Sequence, residues 1–226
     1  MRVYPLDSKL YDNIRSKLRK IDKQLPQKVL ADKVTPSTID SLIVLGDGRE
    51  DYVVLPLICY HLNGKKTAAI VKPTYTRYGA IQTLKTIVKN YKTIAFILDQ
   101  ESDDLSTLYD KIKEELIEIG VQYEIIDKSV RGRLIRYECS LLDHWFKFVV
   151  IINGLDDVVS PSHKIEDHLV RLVRLTDITV QGDSKDAWND LSEEERLEVF
   201  RSIYSGGSVV KEVFKQHFEG LGLLDC

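Results

Sequence analysis

Apolar positions along the chain follow two alternating periods. Short, nearly continuous apolar runs at 41–46, 67–71, 93–98, 121–126, 134–139 and 146–152 predict strands. Between and around them, apolar residues recur at three- and four-residue steps, as amphipathic helices require. Leu10, Ile14, Leu18, Ile21 and Leu25 make one such stripe over 7–25. A second helix is expected over about 50–63, with Gly64 as its stop. A third spans 77–90 on Ile81, Leu84, Ile87 and Val88. A fourth is capped by Asp103 or Asp104, carries Leu108, Ile112, Leu116 and Ile119, and stops at Gly120.

Farther on, Ser160-Pro161-Ser162 predicts a helix start, with Pro161 tolerated in the first turn ahead of Ile165, Leu169, Leu172 and Val173. Ser192-Glu193-Glu194-Glu195 reads as a capping box for a helix to about Tyr204, broken by Gly206-Gly207 before a last helix over 208–218. Strands alternating with helices predict an α/β fold with a mostly parallel sheet flanked by helices. Pro26 and Pro36 mark a connector, so the expected organisation is a basic helix and linker over 1–39 and an α/β domain over 40–180. Residues 181–226 then form a small C-terminal helical appendage.

Composition bounds the function classes. The 226 residues, 43% hydrophobic and 30% charged, suffice for a sizeable core. The net charge of −3 argues against wholesale polyanion binding, but it is unevenly spread. Residues 1–35 hold nine basic and four acidic side chains, leaving that segment at +5 and the rest at −8. A basic arm beside an acidic body fits a nucleic-acid contact with a separate metal site; it equally fits a solvated helix face. Cys59, Cys139 and Cys226 are far apart, with no C-x-x-C pair for a structural zinc or a redox motif. Neither a signal-peptide pattern nor a run of membrane-spanning length is evident, so a cytoplasmic protein with no membrane partner is expected.

The candidate chemistry lies in two acidic segments that each follow an apolar run: Asp47-Gly48-Arg49-Glu50-Asp51 and Asp99-Gln100-Glu101. Carboxylates at the C-terminal ends of neighbouring strands can hold a hard cation, Mg²⁺ or Mn²⁺. Asp99 and Glu101 are the expected ligands, with Asp51 completing the set. Asp47 is placed as general acid/base, a role that needs its pKa raised above the ordinary value of about 3.9. Glu166, beside Asp167 at a helix start, is a further candidate ligand, although helix dipoles favour acids there anyway. Singly, each of these acids also serves as a turn former or cap. Their occurrence in order, each behind a strand, is what points to a site.

His163 and His168 are five apart, wrong for two ligands on one helix face, and are assigned to the surface or to supporting roles; His61, His144 and His217 read as structural. Lys72, Tyr75 and Arg77 form a basic, aromatic loop suited to single-strand contact or to loop anchoring. Arg131 and Arg133, flanking Gly132, form a basic turn able to grip phosphates, or an exposed hairpin tip. Gly46-Asp47-Gly48 matches neither the G-x-x-x-x-G-K-[ST] nor the G-x-G-x-x-G pattern, and no nucleophile motif is evident.

Asp47-Gly48-Arg49-Glu50-Asp51, behind a strand and before an apolar helix, resembles the first Toprim motif, with Asp47 where that family has Glu. Asp99-Gln100-Glu101 resembles its second, Asp-x-Asp, with Glu101 in the last place. Ile165-Glu166-Asp167-His168-Leu169 is similar to an acidic helix start in small Toprim-like proteins related to the overcoming-lysogenization-defect nucleases. The resemblance covers about residues 40–175. It implies a Toprim/Rossmann-like domain performing divalent-metal-dependent phosphodiester chemistry on DNA or RNA, as a small nuclease. The chain has no room for a topoisomerase's tyrosine domain, and a primase's cysteine-rich zinc module is missing. Because both motifs depart by one methylene, a non-catalytic binding module is the second reading. A Rossmann-like phosphotransferase or nucleotide-binding protein, lacking the glycine fingerprint, is the third.

Overall fold

The structure is a computed structural model; it describes the chain except residues 32–33, 47, 63–65, 74–76, 159, 177 and 226, together with the side chains of 36, 77 and 225. Asp47 and Tyr75 therefore lie outside the described residues, as does the Arg77 side chain.

Seven strands form one sheet in the order β1-β3-β2-β4-β7-β6-β5. They are β1 (Arg2–Pro5), β2 (Ser41–Val44), β3 (Thr67–Val71), β4 (Thr93–Asp99), β5 (Gln122–Ser129), β6 (Leu134–Leu141) and β7 (His144–Asn153). Pairing is parallel from β1 through β7 along the sheet, and the β7-β6-β5 edge is antiparallel. The mostly parallel α/β fold expected from the alternating pattern is thus observed.

Strand β4 is buried at every position because helices cover both faces. Its side chains alternate: Ala95 and Ile97 join one core cluster, Phe96 and Leu98 the other. The first face receives α1 (Ser8–Ile21), the short α2 (Leu25–Val29), α3 (Asp51–His61) and α6 (Ile165–Val173). The second receives α5 (Leu105–Glu118) and the 77–90 segment.

Three boundaries differ from expectation for local physical reasons. Strand β1, only four residues long, precedes α1 and pairs β3 at the sheet edge. Residues 77–90 form a 3₁₀ turn, a single α-turn at α4 (Leu84–Ile87) and a further 3₁₀ turn. There the Thr83 and Thr86 hydroxyls donate to the Ala80 and Thr83 carbonyls, and such local bonds compete with a regular helix. Helix α6 starts at Ile165, leaving Pro161 outside it, because His163 is held extended by backbone bonds to Glu101. The Ser192–Glu195 capping box is present at α8 (Glu193–Ser205).

The C-terminal helices α7 (Ser184–Asp190), α8, α9 (Ser208–Val213) and α10 (Lys215–Gly222) share the α3-side core through Trp188, Phe200, Phe214 and Leu221. Helix α10 lies close on β7, since a Cβ at Gly220 would sit 2.6 Å from the Ile151 side chain. Gly220→Ala is therefore expected to cost about 1–3 kcal/mol through overpacking, read from the urea midpoint.

Candidate functional site

The connection after β2 leads through α3 to β3 on one side, and the connection after β4 leads through α5 to β5 on the other. The rim beyond the C-terminal ends of β2 and β4 is therefore the topological switch point of the sheet, the place where α/β folds bind ligands. Asp51 opens α3 there, and Asp99 ends β4.

Period-two alternation explains why they meet. Asp99 continues the Ala95–Ile97 series and so faces α3. Its register partner on β7 is Asn153, which continues the Val149–Ile151 series on the same face. Asn153 Nδ2 donates to Asp99 Oδ1 at 2.8 Å and to Asp51 Oδ1 at 3.3 Å, placing these two oxygens within about 6 Å of each other. Both acceptors are carboxylates, so the amide must turn its nitrogen toward them. His217 on α10 fixes that orientation by donating from Nε2 to Asn153 Oδ1 at 2.7 Å. Asp51, Asn153 and His217 are 0% exposed and Asp99 3%.

The electrostatics of this cluster are unbalanced. Burial, and next the charge of Asp99, hold the Asp51 carboxyl well above its usual range; Lys72 opposes this and Glu166 adds to it. Asp51 Oδ2 is buried without a hydrogen-bond partner. A Cβ at Gly46 would lie 3.0 Å from that oxygen, and one at Gly48 2.9 Å, so the β2–α3 turn wraps the carboxylate only because both residues lack side chains. Lys72 Nζ donates to the Gly48 carbonyl at 2.9 Å and stands 5.6 Å from the Tyr52 ring centroid. Glu166, in the first turn of α6, is held above its ordinary value by burial and then by Glu50, and its Oε2 is likewise unpartnered.

Beneath Asn153, burial pushes His217 well below the usual imidazole range, helped by His168, and pushes His168 down to about 4. Both rings are therefore neutral at ordinary pH. His168 donates from Nδ1 to the Val213 carbonyl and accepts the Gly154 N–H at Nε2. Fully buried, it is not a surface residue, which corrects that half of its assignment; it fills the supporting role, holding the Gly154 N–H next to Asn153 with its ring against that of His217.

Other candidates fall elsewhere. Glu101 does not continue the β4 alternation. It takes φ +57°, bridges backbone to backbone with His163, and places its carboxylate 3.7 Å from Lys164. Arg133 is 4% exposed and bound by Asp156 at 2.7 Å, so as a phosphate contact it is corrected to a structural tie. Arg131 is exposed, 3.6 Å from Asp156. His163 donates from Nδ1 to the buried Asp167 at 2.6 Å, and its side chain is 20% exposed.

Asn153 is the member of this cluster that the pattern does not single out, and His217, read as structural, supports it. The usable signal for Asn153 was an apolar strand ending in a polar residue before Gly154, the same form as the strand that ends in Asp99. His217 gave no sequence signal beyond an ordinary helical position.

Among the described residues, no three His, Cys, Asp or Glu side chains converge as a metal cage. Among the described residues the available donor set is the pair Asp51 and Asp99, and Asp51 Oδ2 has no hydrogen-bond partner. That suits Mg²⁺ or Mn²⁺, since Mg²⁺ commonly takes one or two carboxylates and keeps waters or substrate phosphates for its remaining positions. Comparison of the chain with protein-family models, curated proteins and solved structures gives no match, so the reading of this site rests on its own geometry.

Proposed function

We propose that this chain is a Toprim-like, divalent-metal-dependent nuclease acting on nucleic-acid phosphodiesters. The observation that carries this reading is the meeting of Asp51 and Asp99 on one Asn153 amide at the switch point, with a buried Asp51 oxygen left unpartnered. Asp51 and Asp99 are the residues to hold Mg²⁺ or Mn²⁺, with Glu166 close enough for its charge to act on Asp51. A bound divalent ion would neutralise the pair and polarise a phosphate oxygen. Asn153, locked by His217, keeps both carboxylates aimed at one place, which lowers the cost of orienting them during reaction. Lys72 supplies a positive charge whose field reaches Asp51. His163, whose Nδ1 is held by Asp167, is a further candidate for proton transfer. Asp47 retains the acid/base role that its motif suggests.

A specific feature favours a second reading, a binding module without turnover: Glu101, the second acid of its motif, is drawn toward Lys164. The two separate on one assay. With Mn²⁺ the purified protein is expected to nick or degrade DNA or RNA, and Asp99→Asn to reduce the rate at least 100-fold, as expected on losing a transition-state contact. Equal cleavage by Asp99→Asn would overturn the nuclease reading. Binding without cleavage in either protein would support the module.

A further inference from the structure

In a parallel sheet, every strand's C-terminal end and the N-terminus of the helix that follows lie on one rim. On this rim, strand order places β1, β3, β2 and β4 side by side. Tyr11, in the first turn of α1, follows β1, and Tyr52, the second residue of α3, follows β2; both pack half-buried on the same face of the sheet. Between them, at the end of β3, stands Lys72. Each ring carries a cation: Arg15 is 5.8 Å from the Tyr11 centroid and Lys72 5.6 Å from that of Tyr52. Beside Tyr11 a cleft of about 380 Å³ opens, walled by Tyr4, Leu6 and Ser8. Leu6 is 40% exposed there.

From this arrangement we infer that the rim is a track for single-stranded nucleic acid, running from the Tyr4–Tyr11 cleft past Lys72 and Tyr52 to Asp51 and Asp99. The inference rests on the nuclease reading for its endpoint and names its substrate class. Three strand spacings separate β1 from β4, about 14 Å, a length that a few nucleotides of single strand would span. A base that displaces the cation from a half-buried ring would stack there while the cation meets a neighbouring phosphate, independent of sequence. A duplex cannot use these rings, because its base faces are already stacked on one another. Of the basic residues over 1–35, Arg15 lies on this approach through its contact with Tyr11, whereas Lys20 and Lys28 are engaged by Glu193 and Tyr204 elsewhere.

The test is binding of a fluorescein-labelled oligodeoxythymidylate, and of a blunt duplex of equal length, to the full chain in EDTA, where no turnover occurs. The single strand is expected to bind at least tenfold more tightly than the duplex. Tyr11→Ala and Tyr52→Ala should each weaken it about tenfold, while Tyr11→Phe and Tyr52→Phe, which keep the ring, stay within about twofold. Equal or tighter duplex binding, or unchanged binding in the folded Tyr11→Ala/Tyr52→Ala double variant, would overturn the track. Ring-dependent binding with no Mn²⁺-dependent cleavage would remove the nuclease reading and leave the track standing. Cleavage that ignores both rings would do the reverse.

Discussion

Asp51→Asn is expected to make the metal-free protein more stable and to erase its response to Mn²⁺. The wild-type pair puts two carboxylate oxygens within about 6 Å in a fully buried place, bridged by one amide. At an effective dielectric constant near 20, two charges at that distance repel by about 3 kcal/mol, an upper figure where one of them carries a proton. Removing one charge should raise Tm by about 5 °C in EDTA. The wild type should gain stability on adding Mn²⁺, because an ion that binds only the folded chain stabilises it by mass action, and the variant should gain none.

The pH dependence has a defined sign. Asp51 sits above its ordinary value of 3.8 in the folded chain. Between that value and the raised one, the folded state keeps a proton that the unfolded state has released. This contribution is complete below about pH 4 and is lost as pH rises, so the advantage of the Asp51→Asn variant over the wild type should grow toward neutral pH. His168, pushed down to about 4, acts with the opposite slope below its ordinary 6.5. It is present in both proteins and cancels in the difference. Thermal scans of the two proteins in EDTA across this range measure the effect; a wild type more stable than the variant at neutral pH would refute the crowded-carboxylate account.

How much of this was legible depends on the length scale of the signal. The strands were readable because β4 and residues 148–153 of β7 are buried on both faces, which forces continuous apolar runs. The convergence of Asp51 and Asp99 was readable only as a condition, that their strands be neighbours, and the pairing of β2 with β4 meets it. The position of Glu101 was not legible, because the strand stops at Asp99 and the turn beyond it, with Glu101 at φ +57°, sets the direction of its side chain. Arg133 was misjudged because its partner, Asp156, lies 23 residues away and no periodicity announces it. Strand β1 was missed for a related reason: four residues ending in Pro5 take their strand character from pairing with β3, not from their own pattern. His217 lies 64 residues from Asn153, so their bond exists only once α10 has docked on β7.

That docking sets up the largest expected loss of stability. Asn153→Leu nearly preserves volume yet removes the only described amide that serves both Asp51 and Asp99, and it strips the acceptor from the His217 Nε2–H. Each buried polar group left unpaired costs about 1–3 kcal/mol, and more when charged. Some of this is recovered by protonating a carboxylate, so a loss of about 3–5 kcal/mol is expected, near 10 °C in Tm. Simple loss of packing predicts the same penalty in any background. A network predicts coupling: with Asp51→Asn already present, one charge fewer is stranded, and Asn153→Leu should cost less by about 1–2 kcal/mol. Urea unfolding of the four proteins in this cycle decides between them. Strict additivity would mean that Asn153 fills space beside the carboxylates without holding them, and the aimed pair on which the proposed chemistry depends would have no fixed geometry.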